Sequence, residues 1–275
     1  MREGGWTMRT VDFPVSRLGT FDVGVLSRKK HHMASFLEVD VTEARKDVRR
    51  RRRAGEGVSF TAWLLKTIAD ELAADGEVDA ARLGRRKNLV FDDVDIAVLV
   101  EKLVDGKAVP LPLVVRKADA KSAEEIGREI EDAKSPASAE GRAGFVLGKR
   151  NYDAAMRLYY LLPQWLRVLL FGAVLRDPVR AKAMMGNVAY TSVGGAGGPA
   201  GWILPRSIHP ICFAVGSIGM MPRVRSGGIE PREIMRLTVL IDHDVVDGSP
   251  AARFVARLVR AIEGGGAAAA TESRG

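Results

Sequence analysis

The sequence predicts one α/β domain, a sheet covered by helices, and three observations carry that prediction. Segments 36–42, 94–100, 109–115, 188–193, 211–218 and 235–242 are continuously apolar or alternate with a period of two, as strands do. Segments 43–53, 59–73, 122–134 and 249–263 have the character of helices, most of them carrying an apolar stripe at helical spacing. Strands and helices interleave along the chain, the order that a sheet with covering helices produces.

Residues 1–30 are mixed, with turn signals at Pro14, Gly19 and Gly24, and read as an N-terminal arm. The main domain is expected over 31–263. Phe36 to Thr42 alternates cleanly and reads as a strand. The helix after it ends in the arginines 49 to 53, where basic side chains suit the carbonyl end. A solvated basic face accounts for them; contact with an anionic cofactor or protein is the functional alternative. Gly57 breaks the pattern and Ser59 opens a long helix, in which Phe60, Leu64, Ile68 and Leu72 recur every four residues. Ala74 to Lys87 is polar and reads as a loop. Val94, Ile96, Val98 and Val100 form the buried face of the next strand. Pro110 and Pro112 give the 109–115 strand an edge or irregular position. Ser122 with Glu125 makes a capping box for the helix that follows, and 135–157 reads as loop.

An apolar insertion lies near 151–185. From Leu158 to Leu175 it is apolar except for Gln164, Arg167 and the tyrosine hydroxyls, and Pro163 and Gln164 break it in the middle, which suits a membrane span poorly. Two short helices packed on the domain or at an oligomer contact are expected. Contact with a membrane surface through 158–175 is the alternative, because Arg150, Arg157, Arg167 and Arg176 flank or interrupt the run. Val188 to Val193 then feeds a glycine-rich stretch, 194–198, where the backbone can approach a ligand; its spacing is neither a phosphate loop nor a dinucleotide fingerprint. The tail, 264–275, is expected to be disordered.

With 47% hydrophobic and 28% charged residues the composition is that of an ordinary soluble protein, and 275 residues suffice for a sizeable core. A single cysteine, Cys212, excludes an intrachain disulfide, and with four histidines leaves little material for a metal centre, so no metal is expected. The start lacks the pattern of a signal peptide, and a cytoplasmic location is expected. The formal charge of +8 suits an anionic partner. Nucleic acid is not expected, because no zinc-finger spacing or aromatic–basic interleaving occurs and only 6% of residues are aromatic.

The chemistry gathers at Ile241 to Gly248. A period-two strand ends there, and Ser249 with Pro250 reads as the N-cap and first turn of the last helix. His243 therefore stands where a strand turns into a helix, and neutral histidine can take a proton from a thiol or hydroxyl near pH 7. Thr191 and Ser192 offer hydroxyls that can donate to an oxyanion. There is no nucleophile elbow and no recognisable serine-hydrolase triad. The sequence does not show whether these groups meet.

The segment Asp242-His243-Asp244-Val245-Val246-Asp247-Gly248, followed by Ala251-Ala252-Arg253-Phe254, resembles the catalytic domain of the 2-oxoacid dehydrogenase dihydrolipoyl acyltransferases, the E2 components. The resemblance extends collinearly to Glu38–Thr42, to Phe60-Thr61 with Leu64 and Lys66, to Val115–Ser122 and to Ala214-Val215-Gly216. It implies a two-layer sandwich of the chloramphenicol acetyltransferase kind, with a mostly mixed sheet covered by helices. It also implies a homotrimer that can assemble into a larger cage, with CoA or acyl-CoA as a substrate. His243 takes the role of general base activating a thiol such as dihydrolipoamide. Thr191 takes the place of the oxyanion-stabilising serine, contributed by a neighbouring chain. Asp247 takes the place of the residue that fixes the active-site loop, and Gly248 permits its turn. Ser192, Gly194 and Gly248 fall on the CoA-binding side of the site.

Departures from the family pattern keep two other readings open. Asp244 stands where the family usually has arginine, and no lipoyl attachment site is expected in this chain. A lipoyl-bearing substrate would then come from a separate protein. A free-standing acyltransferase for a small amine or alcohol is one alternative, and a catalytically reduced trimeric scaffold is the other. A carboxylate close to His243 would favour its protonated form. A strand-to-turn geometry sends Asp244 away, toward solvent or a basic residue, and that is the expected arrangement.

Overall fold

The alternating segments form strands β1 (His32–Asp40), β2 (Ala80–Leu83), β3 (Lys87–Val90), β4 (Ile96–Val104), β5 (Lys107–Val115), β6 (Val188–Ser192), β7 (Ile211–Arg225) and β8 (Gly228–Asp242). The helices are α1 (Leu18–Ser27), α2 (Thr42–Arg53), α3 (Phe60–Asp75), α4 (Ala123–Lys134), α5 (Gln164–Leu175), α6 (Pro178–Met185) and α7 (Gly248–Glu263). The computed structural model describes residues 9–10, 17–104, 107–134, 158–194, 200–225 and 227–265, without the side chains of 101–111. The loop expected at 135–157, most of the glycine-rich stretch, and nearly all of the tail fall outside the described residues.

Six strands make one sheet in the order β1-β8-β7-β6-β4-β5. β6 runs parallel to β4 and β7, and the remaining neighbours are antiparallel. The register brings Val188, Ile211 and Ile241 into one row and Tyr190, Phe213 and Val239 into another, all on the same face. Helices α2, α3, α4 and α7 cover that face, and their inward residues, among them Leu64, Ile68, Ile126, Phe254 and Leu258, are buried with the strands in one core. This is a two-layer α/β sandwich with a mixed sheet. β5, with its two prolines, is an edge strand, the position in a sheet where missing N–H donors are tolerated.

The helix boundaries follow local chemistry. Ser59 Oγ accepts from Ala62 N–H at 3.1 Å, and α3 stops at Gly76, whose φ of +69° is left-handed. At α4 the capping box closes both ways: Ser122 Oγ accepts from Glu125 N–H at 3.2 Å, and Glu125 Oε2 accepts from Ser122 N–H at 2.8 Å. The last helix differs from expectation. Asp247, not Ser249, is its N-cap residue, and Ser249 Oγ instead accepts from Arg253 at 2.8 Å.

Two further differences have clear reasons. The loop expected over Ala74 to Lys87 holds β2 and the turn of the β2–β3 hairpin, whose strands are too short and too exposed to show an alternating signal. β7 and β8 run well past the predicted strands, as a ribbon in which Pro222 lies opposite Pro231. Away from the sheet centre each ribbon strand has a free side, so its prolines lose little. The arginine run is largely occupied within the chain. Arg49 reaches Glu233 at 3.0 Å, Arg50 pairs with Asp47, and Arg51 contacts Glu56 at 2.7 Å as well as Glu124.

The insertion forms α5 and α6, and α1 packs on them around Leu26, Met185 and Ile208. Arg167 of α5 makes a buried two-pronged ion pair with Asp22 of α1, at 2.8 and 3.1 Å. Among the described residues no helix is long and apolar enough to cross a membrane.

Candidate active site

β8 ends at Asp242, and this residue organises the turn after it. Its carbonyl accepts from Val245 N–H at 3.0 Å and from Val246 N–H at 3.2 Å. Its carboxylate accepts from Asp244 N–H at 3.3 Å and from Lys30 Nζ at 2.7 Å. Val246 is anchored in the core, and Asn88 of the β2–β3 hairpin donates to the Val245 carbonyl at 3.0 Å. His243 N–H donates to the His31 carbonyl at 3.0 Å, carrying the β1–β8 pairing one residue beyond the strand. The backbone that bears His243 is thus held from several directions, which is what positions a reactive side chain.

The histidines divide sharply. His209 is buried, its Nε2 donates to the Met185 carbonyl at 3.0 Å, and burial pushes its pKa down to about 4. His32 lies 2.9 Å from the His209 carbonyl, and burial lowers its pKa as well. His31 Nδ1 sits 3.0 Å from Asp244 Oδ1, and that hydrogen bond raises its pKa. The His243 ring is exposed and makes no hydrogen bond to any described residue. Cys212 offers no competing nucleophile, because burial pushes its thiol up to about 12.

Asp244 turns to His31, which holds its carboxyl below the usual carboxylate range. Asp247 is exposed, and its side chain makes no hydrogen bond to a described residue. Within one chain the loop is held by Asp242, not by Asp247. Gly248 has ordinary backbone geometry, and a Cβ there would meet nothing within 4 Å, so the fold of the single chain does not require glycine. Gly194 is different: a Cβ there would lie 2.7 Å from the Gly216 carbonyl oxygen, and one on Gly216 would lie 2.2 Å from that of Gly201. Glycine at 194 serves the close crossing of backbones after β6.

Thr191 and Ser192 face opposite sides of the sheet, as strand alternation requires. Ser192 is on the helix-covered side, beside the buried Tyr190, whose hydroxyl it shares with Thr61. Thr191 is on the other side, in a row with Ala214, Thr238 and Phe36. That row lies well down the sheet from His243. Strand spacing and rise put the two residues roughly 19 Å apart within one chain. The single chain therefore does not bring Thr191 to His243.

A cavity of about 410 Å³ opens beside the loop, lined by Asp242, Asp244, Asn187 and the basic residues Lys29, Lys30, Arg82, Arg176 and Lys182. Lys30 is paired with Asp242, and Lys182 with Asp93. Among the described residues no group of three or more histidine, cysteine, aspartate or glutamate side chains is placed to hold a metal. The sequence reading missed the supports of the loop. Asp242 stood inside the motif, whereas Lys30 and Asn88 lie 212 and 157 positions from their partners and carry no local signal.

Residues 203–268 match the family model described as 2-oxoacid dehydrogenases acyltransferase (catalytic domain). No curated protein sequence matches the chain. Among solved structures, the dihydrolipoamide acetyltransferase of Azotobacter vinelandii superposes with a TM-score of 0.66 at 20% identity, covering 93% of this chain and 92% of that one. The cubic core of the pyruvate dehydrogenase multienzyme complex gives 0.65 at 18% identity, over 93% and 92%. A truncated catalytic core of the 2-oxoacid dehydrogenase multienzyme complex from Thermoplasma acidophilum gives 0.61 at 22%, over 93% and 98%. The chain therefore carries the fold of the 2-oxoacid dehydrogenase acyltransferase catalytic domains, and His243 lies within the stretch that matches their family model.

Proposed function

We propose that this protein moves an acyl group between a CoA thioester and a thiol such as dihydrolipoamide, with His243 as the general base. The observation that carries this reading is the exposed, uncommitted His243 ring on a firmly held strand end, inside the family segment. The neutral imidazole takes the thiol proton as the sulfur attacks the thioester carbonyl carbon. The Thr191 hydroxyl of a neighbouring chain donates to the oxyanion that forms. Collapse breaks the carbon–sulfur bond to the leaving thiolate, which takes the proton back from the imidazolium.

Three further points support the reading. The separation of Thr191 from His243 within a chain favours a site shared between copies, as in a homotrimer, and one of the similar structures is described as a cubic core. The Azotobacter vinelandii enzyme's mechanism has been examined at a serine, a histidine and an asparagine four residues after the histidine, the spacing at which Asp247 follows His243. The basic cavity beside the loop suits the phosphates of CoA. Ser192, Gly194 and Gly248 remain on the CoA side in this reading, and a separate protein would carry the lipoyl group.

The test is release of free CoA from acetyl-CoA in the presence of dihydrolipoamide. His243→Ala should lose nearly all turnover, and Thr191→Val, which keeps the shape but not the hydroxyl, about 100- to 1,000-fold. Undiminished turnover in folded His243→Ala would end the proposal. Turnover with small amines or alcohols but not with dihydrolipoamide would replace the acceptor.

A further inference from the structure

We infer that the α1–α5 layer docks on an anionic membrane surface, lying in the plane of the headgroups. The inner side of α5 is already apolar, with Val168, Phe171 and Leu175 packed around Leu26 and Ile208. Its outer side is apolar too. Trp165 and Leu169, four residues apart on one stripe of α5, are 68% and 56% exposed, and Leu161, just ahead of the break at Pro163, is 81% exposed. Phe21 of α1 and Leu170 are also exposed. A helix apolar on all sides needs a second apolar environment beyond the protein core.

The charges of this layer are arranged to match lipid. The charged residue within α5, Arg167, is turned inward and neutralised by Asp22, so the outer face carries no charge. The layer also carries Arg28, exposed at the end of α1, and Arg180, exposed on α6 and paired with Asp177 at 3.0 Å, while Lys29 and Arg176 belong to the cavity beside the loop. Between residues 158 and 185 the sole acidic residue is Asp177, whose carboxylate caps α6 by accepting from Val179 and Arg180 N–H. An exposed tryptophan on an apolar stripe, with cations in the same layer, is the pattern of an interfacial helix. A second copy of this chain is a poorer occupant, because a self-complementary contact would press the same basic layer against itself. A twelve-residue α5 is about 18 Å long, enough to lie in the interface and too short to cross it.

Co-sedimentation of the full chain with phosphatidylcholine vesicles, with and without phosphatidylglycerol, tests this directly. The protein should pellet with the anionic vesicles at low ionic strength and less so as salt rises. The exposed pair Trp165→Ser/Leu169→Ser should leave the far-ultraviolet circular dichroism intact and weaken binding about tenfold or more. Arg28→Gln and Arg180→Gln should each weaken it roughly fivefold, on anionic vesicles only. A wild-type protein that stays in the supernatant with anionic vesicles at low salt would overturn the proposal. So would a double variant that pellets like wild type. If vesicle binding is absent and the double variant instead lowers the mass in light scattering, the face is a contact between copies and the membrane reading is wrong.

Discussion

Asp244 illustrates how one hydrogen bond changes the meaning of a residue. Read from the sequence, it is a carboxylate next to the base; in the fold its partner is His31. In the proposed enzyme the pH–rate profile of Asp244→Asn should therefore coincide with that of wild type, and a midpoint moved down by a unit would show the carboxylate acting on His243. Asp79 is a second case. It is buried, Asn187 Nδ2 donates to both of its oxygens at 2.6 Å, and burial pushes its pKa from 3.8 to about 7. A raised pKa means that folding favours the protonated carboxyl, so its contribution is full at acid pH and is lost as pH rises through about 7. The loss amounts to at most about 4 kcal/mol. Melting temperature should fall between about pH 4 and about pH 7 in wild type, and Asp79→Asn should flatten that fall.

The elements around the site are joined by backbone crossings as much as by side chains. The segment after β6, the middle of β7 and the segment at Gly201 approach so closely that Gly216 has no room for a methyl group. Gly216→Ala should destabilise the protein by about 3 kcal/mol or more, measured by denaturant unfolding. Gly248→Ala should unfold within about 0.5 kcal/mol of wild type, because a Cβ there meets nothing. Strand and helix positions were readable wherever one face is buried, since burial imposes a period. The β2–β3 hairpin was not readable, because its exposed four-residue strands bury too little to impose one. Yet it supplies Asn88, one of the residues holding the loop that bears His243.

At the level of the molecule, the distance between Thr191 and His243 demands more than one chain for the proposed chemistry. Mixing His243→Ala with Thr191→Val protein tests this. Each should be nearly inactive alone, and reassorted oligomers should recover part of the activity through sites with an intact His243 facing an intact Thr191. No recovery, after mass spectrometry has confirmed mixed oligomers, would exclude a shared site.

The sequence by itself determined the sheet-and-helix order, the buried faces, the caps at Ser59 and Ser122, and His243 as the candidate base. These are consequences of period, turn chemistry and local spacing, which neighbouring residues specify among themselves. Only the tertiary structure decided that Asp242 holds the loop through Lys30, that Asp244 belongs to His31, that Thr191 faces the open side of the sheet, and that Arg167 is withdrawn into the α1–α5 layer. Each of these depends on partners distant in sequence or on which side of a sheet faces a neighbour. Contacts of that kind leave no repeating pattern along the chain; they arise when the whole fold brings particular atoms within hydrogen-bonding distance.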